Sequence, residues 1–336
     1  MSTFIIAEAG VNHNGSVSLA KKMVDVAKAA GADCIKFQTF NPESLVTENA
    51  SMAEYQQENT GKQESQIDML KKLALSYDDF CDIKKYCDSV GIMFLSTPFD
   101  LDSIDFLDGL GQELWKIPSG EITNYPYLRA IGRTKKPVVL STGMSTISEI
   151  EQAVDVLKEF GTEKITLLHC TTEYPAPFDE INLKAMEHLK KHFNFPVGYS
   201  DHTKGILAPV LAVGLGAVII EKHFTLDKNL EGPDHKASLE PDELGEMVKQ
   251  IRLVEQIMKG SGVKEPTESE KKNIPVARKS IVAACDIKAG DCFTEKNLTT
   301  KRPGMGISPM EWNSLIGRCA KKDYRYNELI EENEMR

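Results

Sequence analysis

The stretch PVGYSDHTKGILAPVLAVGLGAVIIEKHFT, residues 196–225, decides the fold. Its first run, Pro196 to His202, is short and rich in strand formers, and its last, Ala217 to Thr225, is β-branched and carries Glu221-Lys222-His223. Between them, Ile206 to Leu215 has the length of a helix and is too apolar to face water. A strand, a helix and a strand in about 30 residues make one βαβ unit, with parallel strands and a right-handed crossover. The uncharged stretch Ile206 to Ile220 is only fifteen residues long and contains Pro209 and two glycines. A membrane helix needs roughly 20 apolar residues, so this stretch reads as buried core and no membrane partner is expected.

The same unit recurs along the chain. Further strand-like runs are Phe4 to Gly10, Cys34 to Phe40, Ile92 to Phe99, Leu114 to Glu121, Pro137 to Gly143 and Ile165 to Thr172, which bring the total to eight. Helical patterns separate them: Leu19 to Ala30, Gln66 to Val90 with a break, Ser103 to Leu110, Tyr127 to Arg133, Ile147 to Phe160 and Leu183 to His192, with Pro241 to Met258 after the last strand. Gly31 and Gly91 stand where helix stops belong, and Ser145 and Ser148-Glu149 offer polar groups where the helix around Ile147 begins. Eight alternating units over about 250 residues predict an α/β fold in which residues 1–260 form a (β/α)8 TIM barrel. Asn41 to Lys62 breaks the rhythm: it is polar, holds Pro42 and Gly61, and predicts a long loop on the face where barrel active sites form.

Beyond residue 260 the composition changes. Residues 261–276 are charged and read as a linker, and residues 277–336 hold short β-like runs such as Ser280 to Cys285, with a turn at Ala289-Gly290-Asp291. A module of about 60 residues is marginal alone, which predicts that it docks on the barrel or on another subunit.

Composition narrows the function. The 336 residues are 41% hydrophobic with a net charge of −10, and no Lys/Arg run exceeds two residues. That balance repels phosphate backbones, so nucleic acid is not expected as a partner and any phosphate site is local. The N-terminus lacks a basic n-region, which predicts no signal peptide and a cytoplasmic protein. Seven cysteines without a Cys-x-x-Cys pair predict reduced thiols, with Cys170 in the core. Neither a Gly-x-Gly-x-x-Gly nor a Walker loop occurs, which disfavours dinucleotide and nucleoside triphosphate chemistry.

Catalytic groups of such barrels come from the C-terminal ends of several strands, and here every strand ends in polar residues. The ends read Glu8, Lys36 with Gln38, Ser96-Thr97, Lys116 with Ser119 and Glu121, Ser141-Thr142, Thr171-Thr172, Ser200-Asp201-His202, and Glu221-Lys222-His223. Each has a bland explanation, because strand-end Ser and Thr bond loop backbones and charges face solvent. The convergence on all eight is the signal. His202 and His223 end neighbouring strands 21 residues apart, and period-2 alternation puts Ser200 with His202, and Glu221 with His223, on common faces. The pair fits two readings equally: hydrogen-bonded histidines at a barrel mouth, or two ligands of an open Mn²⁺, Mg²⁺ or Co²⁺ site completed by water and substrate oxygens. His13 reads as a turn-stabilising residue, and His188 and His192 as solvated. Lys36 and Lys116 sit inside apolar strands, where an ammonium needs an anion: a carboxylate such as Glu8 or Glu121, or a bound phosphate or carboxylate ligand. Hydroxyls at Thr97, Ser119, Ser141 and Ser200 complete a cradle suited to a small phosphorylated substrate.

The strings that carry these residues resemble the sialic acid synthase family: Glu8-Ala9-Gly10-Val11-Asn12-His13-Asn14-Gly15, Lys36-Phe37-Gln38-Thr39, Ser96-Thr97-Pro98-Phe99, Lys116-Ile117-Pro118-Ser119-Gly120-Glu121, Ser141-Thr142-Gly143-Met144, Tyr199-Ser200-Asp201-His202-Thr203 and Glu221-Lys222-His223-Phe224-Thr225. The tail from Ala277, with Lys301-Arg302-Pro303-Gly304, is similar to that family's antifreeze-like (SAF) domain. The resemblance implies condensation of phosphoenolpyruvate with an N-acetylated amino-sugar aldehyde to a nine-carbon 2-keto acid, with release of phosphate. It also implies a divalent metal, Mn²⁺ before Mg²⁺ or Co²⁺, and a domain-swapped homodimer whose partner tail covers the barrel mouth. Lys36, Thr97, Lys116, Ser119, Ser141 and Ser200 match phosphoenolpyruvate-binding positions, and His202 and His223 match the metal ligands. Glu8 and Tyr174 match sugar-binding positions, joined by Gln38 and Thr172 at the same strand ends. Arg302 matches the arginine that the partner's tail offers to the N-acetyl group, and Glu221 or Glu8 is the expected proton acceptor.

Two departures bear on the sugar. Neuraminate synthases of the family carry a His after the equivalent of Lys36 and an Asn at the equivalent of Thr172, where this chain has Phe37 and Thr172. Both changes lower polarity, and Thr171 to Phe178 looks like the legionaminic acid branch, whose sugar is 6-deoxy and 4-acetamido; N-acetylmannosamine is the alternative substrate. Rivals from other classes are a Schiff-base aldolase using a strand lysine and a non-catalytic carbohydrate- or ice-binding protein.

Overall fold

A computed structural model describes residues 2–335 apart from 48, 49, 51, 53–56 and 58–64. It divides into two compact units, Met1–Lys259 and Gly260–Arg336. The first holds eight parallel strands: β1 (Phe4–Gly10), β2 (Cys34–Thr39), β3 (Met93–Pro98), β4 (Trp115–Ile117), β5 (Val138–Ser141), β6 (Ile165–His169), β7 (Val197–Asp201) and β8 (Ile219–His223). The first and last pair side by side, Glu8 opposite His223, and the order runs β3-β2-β1-β8-β7-β6-β5-β4. β3 and β4 lie against each other at the two ends of that order, which closes the barrel. A side chain sews this seam: the amide of Gln112 accepts from Ser96 N at 2.8 Å and donates to Ser96 O at 3.0 Å, taking the place of a neighbouring strand's backbone.

Burial follows from the closure. Outward side chains such as Ile5, Ala7, Ile35 and Phe37 pack under the helices in one large core. Inward side chains Ile6, Cys34, Leu95, Val139, Leu168 and Ile219 form a separate cluster, the apolar floor of the barrel. Gly198 occupies the floor on β7, where a Cβ would lie 2.4 Å from Ile219 O and 2.7 Å from Leu168 Cδ2. With both faces covered, the strands read as nearly continuous apolar runs.

The helices run Val17–Ala29, Gln66–Leu73, Tyr77–Val90, Leu101–Gly109, Tyr125–Arg133, Ile147–Glu159, Ala185–Phe193, Leu207–Gly214 and Pro241–Ile257. The break expected after Gln66 falls at residues 74–76, where Ser76 and Asp79 form a capping box that starts a new helix. Gly91 ends that helix at φ 75°, in the left-handed region that glycine enters without a Cβ penalty. Two local expectations need correction. The helix at Ile147 is capped by Thr146 with Glu149, not by Ser145 or Ser148. The fourth strand does not run to Glu121: it stops at Ile117, because Pro118 has no N–H to pair, and Ser119–Glu121 turn into a 3₁₀ helix. Of the loop expected over residues 41–62, a short helix Pro42–Leu45 is seen, and 48, 49, 51, 53–56 and 58–62 lie outside the described residues.

The second unit pairs β9 (Ser280–Ala283) with β10 (Leu298–Lys301) in antiparallel register. Its own core contains Ile281, Ile287, Phe293, Leu298, Leu315, Tyr324 and Ile330. The stretch expected to be a linker contains two short helices, Glu268–Lys271 and Ile274–Ala277, and Pro275 O accepts from Gly304 N at 2.7 Å.

Candidate active site

Period-2 alternation builds the site from the floor upward. Two residues beyond each floor position stands a polar one: Ile6 leads to Glu8, Cys34 to Lys36, Leu95 to Thr97, Leu114 to Lys116, Val139 to Ser141, Leu168 to Cys170, Gly198 to Ser200 and Ile219 to Glu221. Two residues further come Gln38, Thr172, His202 and His223. The intervening residues face outward. Lys222 and Asp201, both fully buried, pair at 2.5 Å away from the mouth, with Asp201 also accepting from Tyr199 and Thr203. Phe37 likewise points out, stacked on Phe94 at 5.9 Å and beside the His13 ring, so it belongs to the core and does not set the polarity of the barrel mouth. His13 accepts from Gly15 N at 3.2 Å in its own turn, and His192 meets Glu151 at 2.8 Å on the surface.

The charged layer is one network. Lys36 Nζ lies 2.8 Å from Glu8, 3.6 Å from Glu221, and donates to Thr97 Oγ1 at 3.0 Å. Lys116 lies 3.4 Å from Glu221, and Ser200 donates to Glu221 at 2.8 Å. Glu121, named as a possible partner for a lysine, instead accepts from Asn124 at 2.6 Å. Burial would raise Glu221, yet Lys116 and Lys36 together hold it down to about 2. Burial lifts Glu8 to about 7 because Lys36 only partly offsets it and the Glu221 charge adds. Burial pulls on Lys36 too, but Glu221 and Glu8 keep it above its ordinary value, whereas Lys116 is lowered by burial. Two lysines thus face one firm carboxylate and one that holds a proton much of the time near neutrality. A bound anion would complete the charge balance of the two lysines. Ser141 Oγ is buried without a hydrogen-bond partner among the described residues, as a hydroxyl awaiting such a ligand would be.

Ser119 reaches the layer from the 3₁₀ turn, accepting from Gly143 N at 2.9 Å and touching Cys170 Sγ at 3.2 Å. Cys170 is buried as expected but lies one residue past β6, against the site. Gly143 is tightly held: a Cβ there would lie 2.4 Å from Thr172 Oγ1 and 2.8 Å from Ser119 Oγ.

His202 and His223 lie with ring centroids 5.7 Å apart. His202 donates its Nδ1 proton to Thr171 O at 2.6 Å, which leaves Nε2 as the lone-pair nitrogen, and His223 Nδ1 is buried without a hydrogen-bond partner among the described residues. Burial lowers His202 to about 4 and His223 well below its usual range, so both are neutral, the state in which imidazole binds a metal. Among the described residues no group of three His, Cys, Asp or Glu side chains gathers as a closed metal centre. The donors present fit an open site of two imidazoles. Tyr174 covers both, 4.1 Å from the His202 ring and edge-on to His223 at 5.7 Å, in a loop tied down by Ala176 N donating to His202 O.

Beside this pair is a cavity of about 220 Å³. Its lining combines Gln38, Tyr174, His223 and Asp234 with the apolar side chains of Phe40, Met69, Leu73 and Phe99. Gln38 also donates to Glu8 at 3.2 Å. Asp234, lifted to about 6 by burial, and the apolar Met69 and Leu73 were not read from the sequence, because they sit in the loop after β8 and on the helix Gln66–Leu73, outside every strand end. Arg302 belongs to the second unit, where it is exposed and its Nε donates to Ala277 O at 3.0 Å.

Comparison with known proteins follows the same outline. The model of the NeuB family matches residues 23–264 and that of the SAF domain residues 278–334. The chain is 53% identical over 332 residues to the N,N'-diacetyllegionaminic acid synthase of Campylobacter jejuni, covering 98% of this chain and 99% of that protein. It is 48% identical over 321 residues to the enzyme of the same name from Legionella pneumophila, covering 94% and 90%. Its structure matches the crystal structure of the N-acetylneuraminic acid (sialic acid) synthetase of Leptospira borgpetersenii in complex with citrate, with a TM-score of 0.73, 39% identity, and coverage of 82% and 90%.

Proposed function

The chain belongs to the NeuB family, and on that premise we propose that it condenses phosphoenolpyruvate with 2,4-diacetamido-2,4,6-trideoxymannose, acting as an N,N'-diacetyllegionaminate synthase. The observation that carries the reading is the meeting, at Gln38 and His223, of an anion-ready charged layer with a cavity lined in large part by apolar side chains. A phosphate fits the layer; a sugar bearing a methyl and two acetamido groups fits the cavity better than one rich in hydroxyls.

In this reading Lys36 and Lys116 neutralise the phosphate and carboxylate of phosphoenolpyruvate, with hydroxyls from Thr97, Ser119, Ser141 and Ser200 as donors. Gln38, Thr172, Tyr174 and Glu8 hold the sugar, and Arg302 of a partner's tail in a domain-swapped homodimer meets an N-acetyl group. His202 and His223 hold a divalent cation, Mn²⁺ before Mg²⁺ or Co²⁺, which when bound supplies Lewis acidity at the aldehyde oxygen. The enol carbon forms the new bond to the sugar C1, water adds at C2, and cleavage of the C2–O bond releases phosphate. Glu8 is the better acceptor for the water's proton, since Glu221 at about 2 is too weak a base. Among the described residues no helix is long and apolar enough to cross a membrane, and a cytoplasmic setting suits a phosphorylated cosubstrate.

Product mass spectrometry with phosphoenolpyruvate, Mn²⁺ and each sugar tests the substrate. A nine-carbon acid formed mainly from the diacetamido sugar is expected; efficient turnover of N-acetylmannosamine instead would assign a neuraminate synthase. Burial lowers Lys116, as a Schiff-base lysine requires, so aldolase chemistry has one observation in its favour. Borohydride with pyruvate separates the two: a stable adduct on Lys116 or Lys36 supports the aldolase, and phosphate release without an adduct supports the synthase.

A further inference from the structure

In the second unit, Cys292 and Cys319 face each other across a two-stranded antiparallel bridge. Phe293 N donates to Arg318 O and Ala320 N donates to Asp291 O, each at 2.8 Å, so the two cysteines form the pair that the ladder leaves without mutual hydrogen bonds. Residues in such a pair have Cα atoms about 4.5 Å apart, at the short end of the 4.4–6.8 Å span of disulfides. Their sulfurs lie 3.6 Å apart and both residues are exposed. The register and the side chains therefore already meet the requirements of a cross-strand link.

We propose that Cys292 and Cys319 are a reversible dithiol–disulfide site, closed by a low-molecular-weight disulfide of the glutathione class. One thiolate of the pair attacks a sulfur of the oxidant and expels one oxidant thiol. The second thiolate then attacks the mixed disulfide, forms the Cys292–Cys319 bond and expels the other oxidant thiol. The protein loses two electrons and two protons, and the oxidant is reduced to two thiols. The ring so closed spans residues 292–319 and includes β10 and Arg302. A small unit with one modest core is where such a staple has most to add. Shared metal binding is the other chemistry open to adjacent thiols, but no third donor joins them among the described residues.

The test equilibrates the full-length protein with oxidised and reduced glutathione, blocks free thiols with an alkylating reagent, and maps peptides by mass spectrometry. Oxidised glutathione is expected to remove two thiols from labelling, lower the intact mass by two hydrogens and join the Cys292 and Cys319 peptides, with excess reduced glutathione restoring both thiols. Cys292→Ser and Cys319→Ser each abolish the link, and Cys285→Ser keeps it. Full labelling of all cysteines under oxidising conditions, glutathione adducts that never resolve into the link, or a link between other cysteines would overturn the proposal.

Discussion

At the scale of single residues, the site depends on groups that burial has pushed away from their ordinary behaviour. His223 is neutral, buried and lacks a hydrogen-bond partner at Nδ1 among the described residues, so it serves a ligand better than it serves the fold. His223→Ala is expected to abolish metal-dependent turnover while far-UV circular dichroism and the unfolding temperature stay close to wild type; full activity of the variant in metal-free buffer would remove the metal role. Gly143 illustrates steric control, because its missing side chain is what lets Ser119 and Thr172 approach each other. Gly143→Ala should lower kcat/KM for phosphoenolpyruvate by about tenfold or more through displacement of Ser119, a loss of roughly 1.4 kcal/mol read from steady-state kinetics. Wild-type kinetics in that variant would show that Ser119 does not touch the cosubstrate.

At the scale of elements, one strand does two jobs through alternation. β8 sends Glu221 and His223 into the mouth and Lys222 outward, where it holds Asp201 of β7 and donates to Thr203 O. Both charges of that outward pair are fully buried, so removing one strands the other. Lys222→Met is expected to destabilise the protein by about 3–5 kcal/mol in urea unfolding. A change below about 1 kcal/mol would mean that Tyr199 and Thr203 alone satisfy Asp201. The contrast with His223, one residue away, separates the two roles of the strand: one substitution costs stability and the other costs catalysis.

At the scale of the whole molecule, the chain is two units, each with its own core, and the residue proposed to complete the sugar site, Arg302, lies on the second. In the proposed domain-swapped dimer that residue would meet the partner's substrate, whereas within its own unit its Nε donates to Ala277 O. Arg302→Ala should raise the KM for the sugar about ten- to a hundredfold, the worth of a charged hydrogen bond, with kcat little changed. An unchanged KM would take the tail out of the site. Mixing this variant with a Lys116→Ala protein would restore a low sugar KM only if one subunit's tail serves the other's barrel.

Strand count, strand order and the polar strand ends that hold Glu8, Lys36, Thr97, Lys116, Ser141, Ser200, Glu221 and His223 were legible from the amino-acid sequence, because a buried parallel strand leaves two strong marks. One is an apolar run; the other is a period of two that any polar residue must obey. What the sequence does not carry is which face of each strand turns inward and which distant elements meet there. Phe37, between the mouth residues Lys36 and Gln38 by number, belongs to the core under the helices, and Cys170, read as core, touches Ser119. Asp234 and the apolar Met69 and Leu73 reach the cavity from segments with no strand-end signature. The raised Glu8 beside the lowered Glu221 is a further case: two carboxylates of like sequence setting differ because one faces a single lysine and the other faces two. Only closure of the barrel decides that, since it sets how many charges each buried group can see at once.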